Sequence, residues 1–296
     1  MNLPNFMCLG AGKSGTTTLF DILRQHPDIY FPAFKEPHFF DIPGNYHNGI
    51  EWYKKNYFRK ADKKIIADFT PSYFFDLLAP ERIFKDIGPD IKFVVLLRHP
   101  VDRAYSHYLH SVRDHHENVS FEESLKLENE RLIYHRKNDN HLSYLRQSYF
   151  HQGLYGDMLE RYLEHFTLDN FLFVNFEEDF LKKREATIQK ILRFLAIEDQ
   201  VKLEINLRSN PASKPRLRLL KRLMNKKGWW RKALKFLVPS MQLRQIIRNK
   251  IQRANIKEYE VQPLSKELKV KLYNIYFKEN MEKFQRITKK KLIWQV

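Results

Sequence analysis

With 296 residues the chain can form one large α/β domain or two small ones, and 43% hydrophobic with 14% aromatic content supports a buried core. No apolar run reaches the roughly 18 residues that a membrane span needs, and the lone Cys8 excludes an internal disulfide. A formal net charge of +17 favours anionic partners, whether nucleic acid, acidic glycans, phosphate-bearing cofactors or anionic lipid, and does not choose among them.

The chain enters its first strand at Asn5, which predicts no signal peptide or stalk and, with one cysteine, a reducing, cytoplasmic setting. Residues 6–10 form an apolar run that ends at Gly10; small residues follow, and Leu19, Phe20, Ile22 and Leu23 recur at helical spacing. This predicts a buried strand, a tight turn and a helix over 17–25 that stops near Pro27. Such a helix start offers N–H groups and a positive dipole end to a phosphate-like anion, and the glycines let the backbone approach it. Gly10 and Gly15 have the spacing of a nucleotide-triphosphate loop, G-x-x-x-x-G-K-[ST], but Thr16 stands where the lysine belongs and Lys13 lies inside the loop. The pattern predicts a phosphate-like ligand that is not a metal-bound triphosphate.

Further along, a short strand is predicted over 29–31, a non-helical, proline-bracketed stretch over 35–41, and a short amphipathic helix over 50–58. A strand over 64–69 closes at Thr70-Pro71, and a helix over 80–87 has proline at its start. Residues 91–98 are the most apolar, β-branched strand, broken by His99-Pro100 before a helix carrying Arg103, Ser106 and His107. The polar, His-rich region within 111–150, with a helix over 121–133, reads as a substrate-facing insertion. An amphipathic helix over 154–166, a strand over 170–175 and a helix over 186–195 follow. Strands alternating with helices predict an α/β fold with a parallel, doubly wound sheet. After 206 come basic helices over 216–225 and 241–253, joined by Gly228-Trp229-Trp230, and a last helix over 265–286; residues 214–253 contain no Asp or Glu. With no repeat and no low-complexity linker, residues 1–296 read as one domain with a basic helical C-terminal part.

The loop Gly10-x-x-Lys13-Ser14-Gly15-Thr16-Thr17-x-Leu19 resembles the 5′-phosphosulfate loop of sulfotransferases that use 3′-phosphoadenosine 5′-phosphosulfate (PAPS). The resemblance implies a P-loop-NTPase-like three-layer fold with a central parallel sheet, PAPS as co-substrate, 3′-phosphoadenosine 5′-phosphate (PAP) as product and no metal. It also implies that Gly12, Lys13, Ser14, Gly15, Thr16 and Thr17 bind the cofactor. A second stretch, Arg98-His99-Pro100-Val101-Asp102-Arg103-x-x-Ser106, resembles that family's 3′-phosphate motif, with His99 in the usual Asn or Asp place, and implies that Arg98 and Ser106 hold the 3′-phosphate. Read without the family, Arg98 could instead pair with Asp102.

A third stretch, Glu36-Pro37-His38-Phe39-Phe40-Asp41, resembles E-x-H-F-F-D of the heparan sulfate sulfotransferases, where the glutamate takes the acceptor proton. That role carries to Glu36, with His38 as the rival base; a histidine beside aromatics is more often a packed, hydrogen-bonded residue, which favours Glu36. Phe39 and Phe40 would raise the Glu36 pKa, and Lys13 and Lys35 would lower it. By the same resemblance Lys13 neutralises charge on the leaving oxygen. Those enzymes carry a second lysine before T-P-x-Y, where this chain has Phe69, which leaves Lys35 and Lys64 as substitutes. Their cysteine-bridged C-terminal loop is absent; Asn210-x-x-x-x-Pro215-Arg216 resembles a bacterial sulfotransferase segment instead, so that Lys214 and Arg216 either close over the cofactor phosphates or form a solvated basic face. Gly153-Leu154-Tyr155 matches the family's G-x-Y near the cleft, and Asn280, Lys283 and Trp294 match its structural closing helix and final tryptophan.

The reading is a PAPS-dependent sulfotransferase acting on a hydroxyl, and less readily an amine, of a saccharide or anionic glycan: carbohydrate sulfation, with Trp52, Tyr53 and Tyr57 available to stack on sugar rings. His107, His110, His115 and His116 lack the acidic or cysteine partners of a metal site and are read as facing the acceptor. Two rivals stand beside it: a P-loop nucleotide kinase, which Thr16 disfavours, and a non-enzymatic binder of anionic polymer or membrane. The basic C-terminal part could touch an anionic membrane peripherally, and it lacks the aromatic interleaving of a nucleic-acid site.

Overall fold

The computed structural model describes residues 3–33, 35–207, 213–215, 256–258, 262–290 and 294. Five strands, β1 (Phe6–Gly10), β2 (Ile29–Tyr30), β3 (Ile65–Asp68), β4 (Lys92–Leu97) and β5 (Phe171–Asn175), form one sheet in the order β2-β3-β1-β4-β5. Every pairing in it is parallel. Parallel strands need crossovers, and those crossovers cover both faces, so the strands read as continuous apolar runs. Phe6 and Cys8 of β1 join one core with Val94, Leu96, Leu172 and Val174, whereas Met7 and Leu9 join the other with Phe93, Val95 and Leu97. The period of two along each strand thus divides the side chains between two layers.

Helices α1 (Thr16–Leu23) and α10 (Arg184–Phe194) cover the first face, contributing Leu19, Ile22, Leu23, Ile188, Ile191 and Leu192. The other face receives α4 (Ala79–Ile87), α5 (Pro100–Arg113) and α9 (Tyr155–Leu163), together with an aromatic cluster built on Phe39, Phe40, Tyr53 and Tyr73. Between them in sequence lie α2 (Pro43–Tyr46), α3 (Ile50–Tyr57), α6 (Phe121–Lys126), α7 (Glu128–Lys137) and α8 (His141–Arg146). The chain passes from β3 over β1 to β4, so the loops after β1 and β4 open side by side at the carboxyl edge of the sheet, where open α/β folds bind ligands.

Three local expectations are corrected. The helix expected over 121–133 is two helices, α6 and α7, meeting at Leu127. The last helix expected over 265–286 is also two, α11 (Lys266–Tyr276) and α12 (Lys278–Thr288), interrupted at Phe277 (φ −128°). That ring is buried against Gly153, where a Cβ would stand 2.8 Å from it, and seating it there breaks the helix. Within the C-terminal part expected to be helical, β6 (Ser213–Pro215) and β7 (Ile256–Glu258) form an antiparallel ribbon. The basic helices expected over 216–225 and 241–253 lie outside the described residues. No helix among the described residues is long and apolar enough to cross a membrane.

Candidate active site

The turn after β1 is held by backbone contacts: the Ala11 N–H donates to the Leu96 carbonyl (2.7 Å) and the Ser14 N–H to the Ala11 carbonyl (3.2 Å). Gly15 precedes α1 at φ 84° with no side-chain cap, so nothing of its own competes with an anion there. Glycine is required at this position, because a Cβ would also lie 2.7 Å from the Phe176 ring. The Ser14 hydroxyl is buried and has no hydrogen-bond partner among the described residues. Gly12 and Lys13 are half-buried within the turn, while Thr16 and Thr17 begin the helix.

The second motif converges on the first. Arg98 follows β4 directly, and its Nη1 donates to the Lys13 carbonyl (3.0 Å). Its guanidinium lies 5.3 Å from the Phe176 ring centroid; among the described residues Glu177 is 3.9 Å from its buried Nε, which has no hydrogen-bond partner. The Tyr155 hydroxyl donates to the Arg98 carbonyl (2.9 Å), which places this tyrosine beneath the cleft as a positioning group. Asp102 pairs with Lys269 (2.8 Å), not with Arg98, so the alternative ion pair does not form. Ser106 is half-buried two turns into α5. Burial together with Arg113, Arg146 and Arg98 pushes the Lys13 ammonium down to about 7. A lysine short of counter-charge, beside a buried hydroxyl and guanidine nitrogen without hydrogen-bond partners among the described residues, fits a phosphate-bearing ligand.

Residues 35–41 carry a chain of alternating charges. Lys35 Nζ donates to Glu36 Oε1 (2.7 Å), Glu36 Oε2 lies 3.5 Å from His38 Nε2, and His38 Nδ1 lies 2.8 Å from Asp41 Oδ2. The Ser72 hydroxyl also donates to Asp41, and Asn45 donates to the His38 carbonyl. Partial burial pushes the Glu36 carboxyl up, but Lys35 and His38 outweigh it and hold the group well below the usual carboxylate range. Burial pushes His38 down, yet Asp41 and Glu36 outweigh it and raise the imidazole to about 10. An imidazolium has no lone pair for a proton, which favours Glu36 as the base. Glu36 keeps 40% of its side chain exposed, so its carboxylate remains accessible to an acceptor. Lys13, Glu36 and His38 stand at φ 72°, 66° and 52°, three of the seven non-glycine residues with positive φ among the described residues. Strain of this kind clusters at functional sites.

This segment rests on Asp68, a buried carboxylate at the end of β3 that accepts hydrogen bonds from Tyr53, Thr70 and Tyr73. The Tyr73 hydroxyl in turn accepts from the Phe39 N–H (2.9 Å), which fixes the backbone beside His38. Burial pushes Asp68 up to about 6. Tyr53 and Tyr57 cannot stack on sugar as expected: both are buried, and Tyr53 lies parallel to Phe39 with centroids 4.4 Å apart. Trp52 is half-buried. Of the histidines, His107 is buried, with burial and Arg103 pushing it well below its usual range, and His110 bonds Asp114 and Arg146. Lys214 lies in β6 and Arg216 outside the described residues, so neither side chain is placed. Asn280 accepts from the Gly156 N–H at the start of α9, Lys283 pairs with Asp157 and Glu160, and Trp294 donates to Glu177, all structural ties.

Sequence reasoning assigned no role to Asp41, Ser72 or Asp68, although the first two sit within or beside the quoted motifs. It also missed Arg113 and Arg146, which flank Asp114 at 2.9 and 3.4 Å. Their meeting depends on α5 packing beside α8, and no spacing announces it.

The sulfotransferase-domain family matches residues 3–236. Heparan sulfate glucosamine 3-O-sulfotransferase 3A1 of Mus musculus is 33% identical over 196 residues, covering 66% of this chain and 46% of the relative. Heparan sulfate glucosamine 3-O-sulfotransferase 6 of Homo sapiens is 35% identical over 178 residues, covering 59% and 47%. A crystal structure of a sulfotransferase from Alicyclobacillus acidocaldarius superposes with TM-score 0.61 at 32% identity, over 71% of this chain and 88% of that one. The chain spans about half the length of the curated relatives it matches.

Proposed function

Because this chain belongs to the sulfotransferase family, we propose that it moves the sulfuryl group of PAPS to a hydroxyl of a saccharide or glycan-like acceptor. The observation that carries this reading is the convergence of two anion cradles: Arg98 donates to the carbonyl of Lys13, and each cradle leaves a buried donor, Ser14 Oγ or Arg98 Nε, without a hydrogen-bond partner among the described residues. In this reading residues 12–17 hold the 5′-phosphosulfate, and Arg98 with Ser106 holds the 3′-phosphate.

The donor supplies an activated sulfuryl group bound through oxygen to phosphate. The Glu36 carboxylate accepts the acceptor's hydroxyl proton as the new S–O bond forms, and the Lys13 ammonium faces the negative charge left on the phosphate when the old S–O bond breaks. His38, held as a cation by Asp41, orients Glu36 rather than competing with it. A saccharide acceptor is supported by the names of the curated relatives and by the E-x-H-F-F-D stretch. An anionic one is supported by Arg113 and Arg146, which stand near enough to Lys13 to lower its pKa.

The test is calorimetric binding of PAP together with transfer of radiolabelled sulfate from PAPS onto a panel of glycans, lipids and small alcohols. Micromolar PAP binding and label on a saccharide are expected. Turnover of ATP with Mg²⁺ in the absence of PAP binding would overturn the reading in favour of a kinase.

A further inference from the structure

We propose that Lys35 is the second cation of the transfer site, supplying from the 35–41 segment the positive charge that the heparan sulfate enzymes carry where this chain has Phe69. The proposal rests on the sulfotransferase reading above. Position 69 itself cannot serve: Phe69 is 1% exposed and sits in the core among Phe6, Phe20 and Phe31, with ring centroids 5.3–5.7 Å apart. Lys64 cannot serve either. It lies before the first residue of β3, at the opposite end from the carboxyl edge, and its Nζ donates to the Ala196 carbonyl (2.5 Å).

Lys35 reaches both halves of the site. Its Nζ lies 3.3 Å from the Thr16 hydroxyl, at the first residue of α1, and 2.7 Å from Glu36 Oε1. The side chain is 13% exposed, so the ammonium is held between loop and base instead of ranging through solvent. An ammonium has three N–H donors, and among the described residues two have partners. The third is left for an oxygen of the group that the loop holds beside Thr16. The contact with Glu36 couples the two tasks: one cation binds the transferring group and keeps the neighbouring carboxylate ionised to receive the proton.

On this proposal the charge comes from a different place in the sequence, the 35–41 segment, where Lys35 contacts both Thr16 and Glu36. A lysine at the end of β3 would approach the loop from the sheet; Lys35 approaches from the segment that carries the base. Replacing the strand-end lysine by phenylalanine then completes an apolar core without removing charge from the site.

Lys35→Met, Lys35→Arg and Lys64→Met test this, with binding of PAPS and of PAP measured without acceptor and transfer measured with it. In Lys35→Met, PAPS affinity is expected to fall about tenfold while PAP affinity changes by less than about threefold, because only PAPS carries the sulfuryl oxygens. Transfer should fall by about a hundredfold or more. Lys35→Arg, which keeps the charge, should retain transfer to within about tenfold, and Lys64→Met should match wild type. Equal weakening of PAP and PAPS in Lys35→Met would assign Lys35 only to loop shape and overturn the proposal, as would unchanged PAPS binding. Loss of transfer in Lys64→Met with retention in Lys35→Met would give the role to Lys64. If wild type itself binds neither nucleotide, the sulfotransferase reading fails first, which separates the two failures.

Discussion

Lys13 and Glu36 both stand on left-handed backbone, at φ 72° and 66°, yet their electrical surroundings are opposite. Around Lys13 the effect of Arg98, Arg113 and Arg146 outweighs that of the nearby carboxylate Asp114, and donors on Ser14 and Arg98 have no hydrogen-bond partner among the described residues. Around Glu36 the charges alternate, Lys35, Glu36, His38, Asp41, and each finds a counterpart. The first region is incomplete until an anion arrives. The second already has its charges paired. In the proposed mechanism, binding and proton transfer fall to separate pieces of backbone that meet at Lys35 and Thr16.

Substitutions can break that division. The largest effect is expected for Glu36→Gln, which should lower the rate of sulfate transfer by about 10²- to 10⁴-fold and leave PAP affinity nearly unchanged. An unchanged rate would remove Glu36 as the base. Arg98→Ala should weaken PAP binding by about 10- to 100-fold in calorimetry, in line with loss of one charged hydrogen-bonded contact. Wild-type affinity in that variant would uncouple Arg98 from the cofactor.

A smaller effect sharpens the contrast. Lys13, pushed down to about 7 when free, should regain its proton on meeting a bisphosphate. The complex then binds more protons than the free protein, so PAP affinity should fall as pH rises above 7, by up to about tenfold per unit. Calorimetry at pH 7.5 in buffers of different ionisation heat would register proton uptake; identical heats would refute it. The smallest effect concerns His38, whose folded pKa of about 10 lies above the ordinary 6.5. Its stabilisation is complete below pH 6.5 and lost as pH rises through 10. His38→Asn, which tolerates positive φ, should cost roughly 2 kcal/mol at pH 6 after screening, and less at pH 10. Urea unfolding at the two pH values measures this, and a constant difference would contradict it.

The loop, Arg98 and Glu36 could be singled out as candidates because each lies in a short contiguous pattern, and the contacts from Arg98 to Lys13 and from Lys35 to both Thr16 and Glu36 show them to be neighbours in the fold. The five parallel strands were legible from apolar runs between helices. What escaped depends on distance in the chain. Lys35 could be named as a substitute, but only packing of its segment on α1 shows which lysine reaches the loop. The spacing of Tyr53 and Tyr57 fits a helix face equally well in the core or over a ligand, and Asp68, the buried acceptor for Tyr53, decides for the core. The break at Phe277 follows from a missing side chain 124 residues earlier, at Gly153, which no local pattern contains.

The left-handed backbone at Lys13 has a consequence for engineering. Glycine there would relax the turn by about 1 kcal/mol and remove a cation already crowded by three arginines. A laboratory selection that rewarded heat resistance alone would therefore favour Lys13→Gly among its early winners, and on the proposed mechanism the hardier descendants would lose sulfate transfer.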